Sequence, residues 1–140
     1  MMKKLLIAVL ALGLAGCATS AVPLNNAKSV SADRTFKFQT SHAGDAKLIV
    51  IRDSGIVGSG CYAAVFINGE KAALLNSTEK VIFNLKGGEY EVGAAFDGAA
   101  LCSMGKDRQE RTVVLKENQT KVVRVFSDGN ANLDIKPTTL

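Results

Sequence analysis

The chain has 140 residues, a hydrophobic fraction of 47% and a formal net charge of +4. Its basic residues are spread singly along the sequence and it contains no tryptophan, so it lacks the basic stripe and the stacking aromatics that nucleic-acid binding requires. The length suits one modest domain with its own core, and we expect no nucleic-acid partner.

The first 17 residues, MMKKLLIAVLALGLAGC, have the pattern of an export signal. Lys3 and Lys4 precede an apolar run at 5–14 that is too short for a transmembrane helix, which needs about 20 residues. The run ends in Leu-Ala-Gly-Cys at 14–17, which resembles the bacterial lipobox. The resemblance implies that the chain is cut before Cys17 and that this cysteine is acylated, as in palmitate-bearing lipoproteins. The alternative is a plain secretory signal with an incidental cysteine.

The lipobox also implies a partner and a location. Two or three acyl chains anchor a protein stably in a membrane, at about 0.8 kcal/mol per buried methylene. Ala18 follows the cysteine, whereas lipoproteins retained in the inner membrane of diderm bacteria usually have aspartate there. In a diderm bacterium the expected location is therefore the periplasmic face of the outer membrane, with the lipid on Cys17 holding the protein to it.

Cleavage would remove 16 of the 140 residues, leaving 124 residues with 15 basic and 13 acidic side chains. We expect a lipidated N-terminus and flexible tether at 17–32, because this segment is small and polar with no periodicity. Fully extended, it would reach roughly 50 Å. A single β-domain is expected at 33–140.

Short β-rich runs separated by turn signals make up this domain. The pattern predicts nine strands, at 34–39, 46–52, 61–67, 70–76, 80–86, 89–96, 109–116, 119–126 and 132–136. AKLIVIR at 46–52 is apolar on both faces, which predicts a central strand. RTFKFQ at 34–39 alternates Phe36 and Phe38 with Lys37, as in a half-buried strand.

Three dipeptides are predicted to close hairpins: Asn68-Gly69, Gly87-Gly88 and Glu117-Asn118. No helix-period segment follows the signal. Short strands at roughly ten-residue spacing, joined by hairpins, predict an all-β fold: an antiparallel β-sandwich or a small barrel.

Residues 46–94 carry a recognisable frame. A leading strand ends in arginine, a Gly/Ser-rich link follows, a strand runs into Val-Phe-Ile-Asn-Gly at 65–69, and Phe83 and Tyr90 come after it. The frame resembles an uncharacterised small β-domain of many bacterial lipoproteins, related to PEGA-type surface domains. This resemblance covers about half of the mature chain. It implies a fold and no catalytic residues.

Cys61 and Cys102 remain after the signal. Export places them in an oxidising compartment, where a pair of cysteines usually forms a disulfide. A metal pair or a redox dithiol is the alternative, but the chain has no Cys-x-x-Cys and a single histidine, His42. We therefore predict a disulfide between them, worth roughly 4 kcal/mol in the chain-entropy model.

Motifs for catalysis are weak. GIVGSG at 55–60 precedes no helix and lacks Gly-Lys-Ser/Thr, so it indicates an inter-strand loop. A nucleophilic triad would need His42 as its base, and His42 lies in a polar segment, as a surface residue does. Glu89 and Glu91 share a strand face but are more typical of the wet side of a sheet. We predict no enzyme, no cofactor and no metal.

Two long loops, 53–60 and 97–108, have no structural reason for their length, and long loops often carry binding residues. The predicted disulfide joins the end of one to the middle of the other. We therefore expect a partner to contact this pair of loops. The candidates are Ile56, Val57, Leu101 and Met104 as apolar contacts, with Lys106 and Arg108 as a charged rim. The alternative is that the apolar residues fold inward.

Three function classes remain. The favoured one is a non-catalytic lipoprotein whose β-domain binds an envelope protein or glycan, or supports the envelope. The second is an inhibitor or phage-type exclusion factor acting through the disulfide-tied loops. The third is a hydrolase, disfavoured by the shortage of catalytic side chains.

Overall fold

Two β-sheets packed face to face form the domain. The computed structural model describes residues 19–55, 58–103 and 107–140. Their strands are β1 (Lys28–Ser29), β2 (Ala46–Arg52), β3 (Tyr62–Ile67), β4 (Glu70–Leu75), β5 (Glu79–Leu85), β6 (Gly88–Asp97), β7 (Gln109–Leu115), β8 (Thr120–Ser127) and β9 (Leu133–Pro137). A five-stranded sheet has the order β1-β5-β2-β8-β9, and a four-stranded sheet has the order β4-β3-β6-β7. The predicted all-β sandwich is confirmed, and the two sheets do not close into a barrel.

Strand β2 lies at the centre of the five-stranded sheet, as predicted. It pairs antiparallel with β5 and parallel with β8. Leu48 and Val50 are fully buried in the core between the sheets. Ile49 and Ile51 alternate with them on the outer face, and they are buried too. A strand that is apolar on both faces must have both faces covered, and β2 is covered on each.

One of the three predicted hairpins is confirmed and two are wrong. Strands β3 and β4 pair antiparallel across Asn68 and Gly69, whose φ angles of 48° and 80° suit a two-residue turn. The chain segments at Gly87-Gly88 and Glu117-Asn118 instead connect strands of different sheets. A tight turn reverses the chain without deciding which sheet the next strand joins.

The predicted strand at 34–39 is wrong. Thr35 makes a single bridge to Ala73 on the edge of β4, and Phe38 has φ 64°, which ends any extended run. The Phe38 carbonyl then accepts a hydrogen bond from the Asn84 amide on the edge of β5. The Phe38 ring packs edge-on against Phe83 in the core at 6.3 Å. The segment therefore crosses from one sheet edge to the other and covers both, which protects them from pairing with other chains.

Residues 20–32 pack against the domain and do not form the predicted flexible tether. Val22 and Ala27 are buried against Ile49 and Ile51 on the outer face of the five-stranded sheet. Strand β1 then pairs parallel with β5. The physical reason lies in β2: its outer face is apolar, and this segment removes it from water.

Arg34 connects the end of this N-terminal segment to strands β4 and β5 by hydrogen bonds. Its guanidinium donates two hydrogen bonds to the Glu79 carboxylate, at 2.6 and 2.8 Å, and one to the Leu74 carbonyl. This paired contact holds the pKa of the Glu79 carboxyl below its ordinary value. In the described part of the chain, no helix is long and apolar enough to cross a membrane.

Candidate functional site

The predicted disulfide is present and defines one end of the sandwich. Cys61 and Cys102 are bonded, with their Cα atoms 5.4 Å apart. The bond joins the residue directly before β3 to the short 3-10 turn Ala100–Ser103 that follows β6. We call this end, with the loops after β2 and β6, the disulfide end. Here the disulfide ties the two predicted loops together covalently.

Arg52 closes the core at the disulfide end. Its side chain points between the sheets, and the residue is only 3% exposed. The guanidinium donates to three backbone carbonyls at 2.6–2.7 Å, those of Gly58, Cys61 and Leu75. Burial lowers the pKa of Arg52 to about 10, and the nearby charge of Glu79 opposes that shift. At neutral pH it is a cation whose hydrogen bonds hold the loop before β3 in place.

A second polar cluster lies beside Arg52 on the outer face of the five-stranded sheet. Asp53 is 2% exposed and binds the guanidinium of Arg124 on β8 through both carboxylate oxygens. The Thr19 hydroxyl donates to the same carboxylate at 2.8 Å and accepts a hydrogen bond from the Ser127 amide at 2.9 Å. One carboxylate thus joins the N-terminal segment, the end of β2 and β8.

The structure describes two of the six predicted contact residues in the two loops. Leu101 is 81% exposed, so it does not fold inward. Arg108 extends over the four-stranded sheet, with its guanidinium 4.6 Å from the Phe66 ring centroid and its Nε 2.9 Å from Glu110. The remaining candidates lie outside the described residues: Ile56, Val57, Met104 and Lys106. Cys17 also lies outside them.

An open cleft of about 420 Å³ lies at the opposite end of the sandwich. Its lining includes Phe38, His42, Asp45, Lys86 and Tyr90. The Tyr90 hydroxyl donates to the Lys86 carbonyl at 2.6 Å. Partial burial, with the charge of Asp45, raises the pKa of Tyr90, so its neutral form is favoured. The cleft is open to solvent, and its lining mixes aromatic, charged and amide side chains.

His42 is a surface residue, as predicted, with a side chain that is mostly exposed and a ring nitrogen 3.3 Å from Asp45. Glu91 accepts a hydrogen bond from Thr112 at 2.6 Å, across to the neighbouring strand. In residues 19–55, 58–103 and 107–140, no group of three or more metal-ligating side chains is gathered to hold a metal ion.

The sequence did not predict the polar cluster formed by Thr19, Asp53 and Arg124. A partial signal was present: Arg52 and Asp53 directly follow a run of buried apolar residues, where charges need partners. The partner Arg124 is 71 residues from Asp53 and alternates with buried valines in β8, so no local pattern identifies it. A scan of known protein families finds no family model that matches the chain, and a search of curated proteins finds no match to it.

Proposed function

We propose that this protein is a lipid-anchored lipoprotein of the bacterial envelope, held through Cys17 in the outer membrane. Its β-sandwich domain would act without catalysis, by binding an envelope component or supporting envelope structure. The observation that carries the proposal is the position of Thr19. This residue lies two positions after the lipobox cysteine and is fixed to the folded domain by its contacts with Asp53 and Ser127.

The chemistry of the disulfide end supports a binding or structural role. Arg52 donates its hydrogen bonds to backbone carbonyls, and the Asp53 carboxylate accepts hydrogen bonds from Arg124 and Thr19. Charged groups used in this way hold loops in place and are not free to transfer protons. The resemblance of residues 46–94 to a β-domain of bacterial lipoproteins points in the same direction.

Intact-mass analysis of protein extracted from membranes tests the anchor. We expect the loss of residues 1–16 and the added mass of a diacylglyceryl group and an acyl chain. The control is Cys17→Ser, which should keep the signal or appear in the soluble fraction without acyl mass. A wild-type mass without acyl groups would exclude the proposal. Turnover of glycan or peptide substrates by the purified protein would exclude its non-catalytic part.

A second candidate function is that of an inhibitor or phage-type exclusion factor. It is favoured by Leu101, which is exposed on a turn whose next residue is clamped by the disulfide, because a rigid apolar side chain loses little entropy when a protein binds it. Affinity capture from envelope extract would separate the two functions. A protein captured by wild type and lost with Leu101→Ser would support the inhibitor, whereas capture that survives the substitution would favour another surface.

A further inference from the structure

The N-terminal end of the described chain is held tightly. The Thr19 hydroxyl bonds to Asp53 and to the Ser127 amide. The next residue, Ser20, exchanges two backbone hydrogen bonds with Ser54, at 2.8 and 2.9 Å. Thr19 and Ser20 form a corner of the domain. Releasing this corner would leave the Asp53 carboxylate, which is deeply buried, with one hydrogen-bond donor fewer. Thr19 and Ser20 are therefore held directly against the sandwich.

The covalent chain limits how far Cys17 can be from that corner. Two peptide units separate the two residues, and consecutive Cα atoms are about 3.8 Å apart, so their Cα atoms are within about 8 Å. The acyl chains on Cys17, on which this inference rests through the proposed function, begin at the bilayer interface. Because the Thr19 Cα is within about 8 Å of the Cys17 Cα, Thr19 then lies close to the lipid headgroups.

The corner lies at the disulfide end of the sandwich. Asp53 directly follows β2, and Gly55 in the same loop lies against Thr19. Arg52 ties this loop to Cys61, and the disulfide ties Cys61 to the turn that carries Leu101. The opposite end, with the turns before β6 and β8, is about 20 Å away along β2.

Among the described residues, Leu101 is an apolar side chain that this end presents to solvent. It is 81% exposed, and the next most exposed large hydrophobic residue of the described chain, Leu140, is at 58%. Its turn is held by a hydrogen bond from the Cys102 amide to the Ala99 carbonyl and by the disulfide. A leucine fixed in this way is costly in water and favourable at the acyl boundary of a bilayer.

We propose that the disulfide end rests on the membrane surface, with Leu101 in the interfacial layer and the sandwich upright on the bilayer. The occupant of this surface is the lipid bilayer in which Cys17 is anchored. The cleft lined by His42 and Tyr90 then faces away from the membrane, where an envelope ligand has access to it. A domain lying flat on either sheet face, or standing clear of the lipid, is excluded by this arrangement.

Tryptophan fluorescence in vesicles tests the orientation directly, because the natural chain contains no tryptophan. Full-length acylated protein is reconstituted in vesicles of phosphatidylethanolamine and phosphatidylglycerol with brominated acyl chains, which quench only nearby indoles. Leu101→Trp reports on the disulfide end, and Lys86→Trp is the matched control at the opposite end. Ile82→Trp and Val114→Trp report on the outer faces of the five-stranded and the four-stranded sheets.

We expect the emission of Leu101→Trp to shift to the blue and to be quenched several-fold more than that of Lys86→Trp. Stronger quenching of Ile82→Trp or Val114→Trp would show that the domain lies on a sheet face and would overturn the proposal. An unquenched Leu101→Trp would also overturn it, and would leave this residue free for a protein partner. The intact mass of each sample separates the two proposals: quenching fails with acyl chains present if only the orientation is wrong, and the chains are missing if the anchor itself is wrong.

Discussion

Thr19 donates a hydrogen bond to the Asp53 carboxylate at 2.8 Å, across 34 residues of sequence. The same carboxylate binds Arg124 of β8. Because Asp53 directly follows the central strand, this contact fixes the position of Thr19 relative to the five-stranded sheet. The proposals on anchoring and orientation both depend on it, so the cluster is the first place to test by mutation.

Asp53→Asn should lower the free energy of unfolding by about 2 to 3 kcal/mol, because it leaves the Arg124 guanidinium without its charged partner in a largely buried setting. The control is Asp134→Asn, which breaks the pair with Arg111, whose side chain is 57% exposed. There we expect less than about 1 kcal/mol. Urea unfolding of the mature chain with Cys17→Ser measures both. Equal effects of the two substitutions would contradict a special role for Asp53.

Replacing Cys61 and Cys102 together with alanine should lower the free energy of unfolding by roughly 4 kcal/mol, because the unfolded chain regains the entropy of a long loop. Far-ultraviolet circular dichroism should keep its β signature, because the sheets are hydrogen-bonded independently of the bond. Non-reducing peptide mapping of the wild type, with a reduced sample as control, should yield one cross-linked peptide. Two free thiols in protein purified from the envelope would contradict the disulfide.

A chain that starts at residue 33 should be less stable than one that starts at Thr19, by at least about 3 kcal/mol, because it exposes Ile49 and Ile51 to water. Thermal unfolding and light scattering would show the loss and the tendency to aggregate. The milder change Val22→Asp should act in the same direction, and Asn25→Asp, at an exposed position of the same segment, is its control. Equal stability of the two chains would restore the tether that the sequence suggested.

Stability should fall in acid partly through Glu79. Its pKa is lowered in the folded state, chiefly by the hydrogen bonds from Arg34. A lowered carboxyl pKa contributes stability that is fully present above the ordinary value of 4.5 and is lost as the pH falls through the folded value. Urea midpoints measured between about pH 7 and pH 3 should therefore fall less steeply for Glu79→Gln than for wild type. Parallel curves would show that the pair with Arg34 contributes nothing.

Local signals in the sequence determined the strands and one of the turns. Period-two alternation and buried apolar runs identified eight of the nine strands. Asn68-Gly69 identified its hairpin, because both residues tolerate the positive φ angles that such a turn needs. The disulfide was predicted from the cysteine count together with the expectation of export to an oxidising compartment. These features depend only on neighbouring residues or on the compartment.

The tertiary structure decided which strands pair and brought Thr19, Asp53 and Arg124 together in the polar cluster. The sequence could not show that β2 pairs with β8, or that Arg124 lies against Asp53, because those contacts join residues about 70 positions apart. The docking of residues 20–32 on the sheet could not be predicted from the sequence either, because their polar composition resembles that of a linker. What brought them onto the sheet was the outer apolar face of β2, since a buried face has to be covered by whichever segment the completed fold places nearest to it.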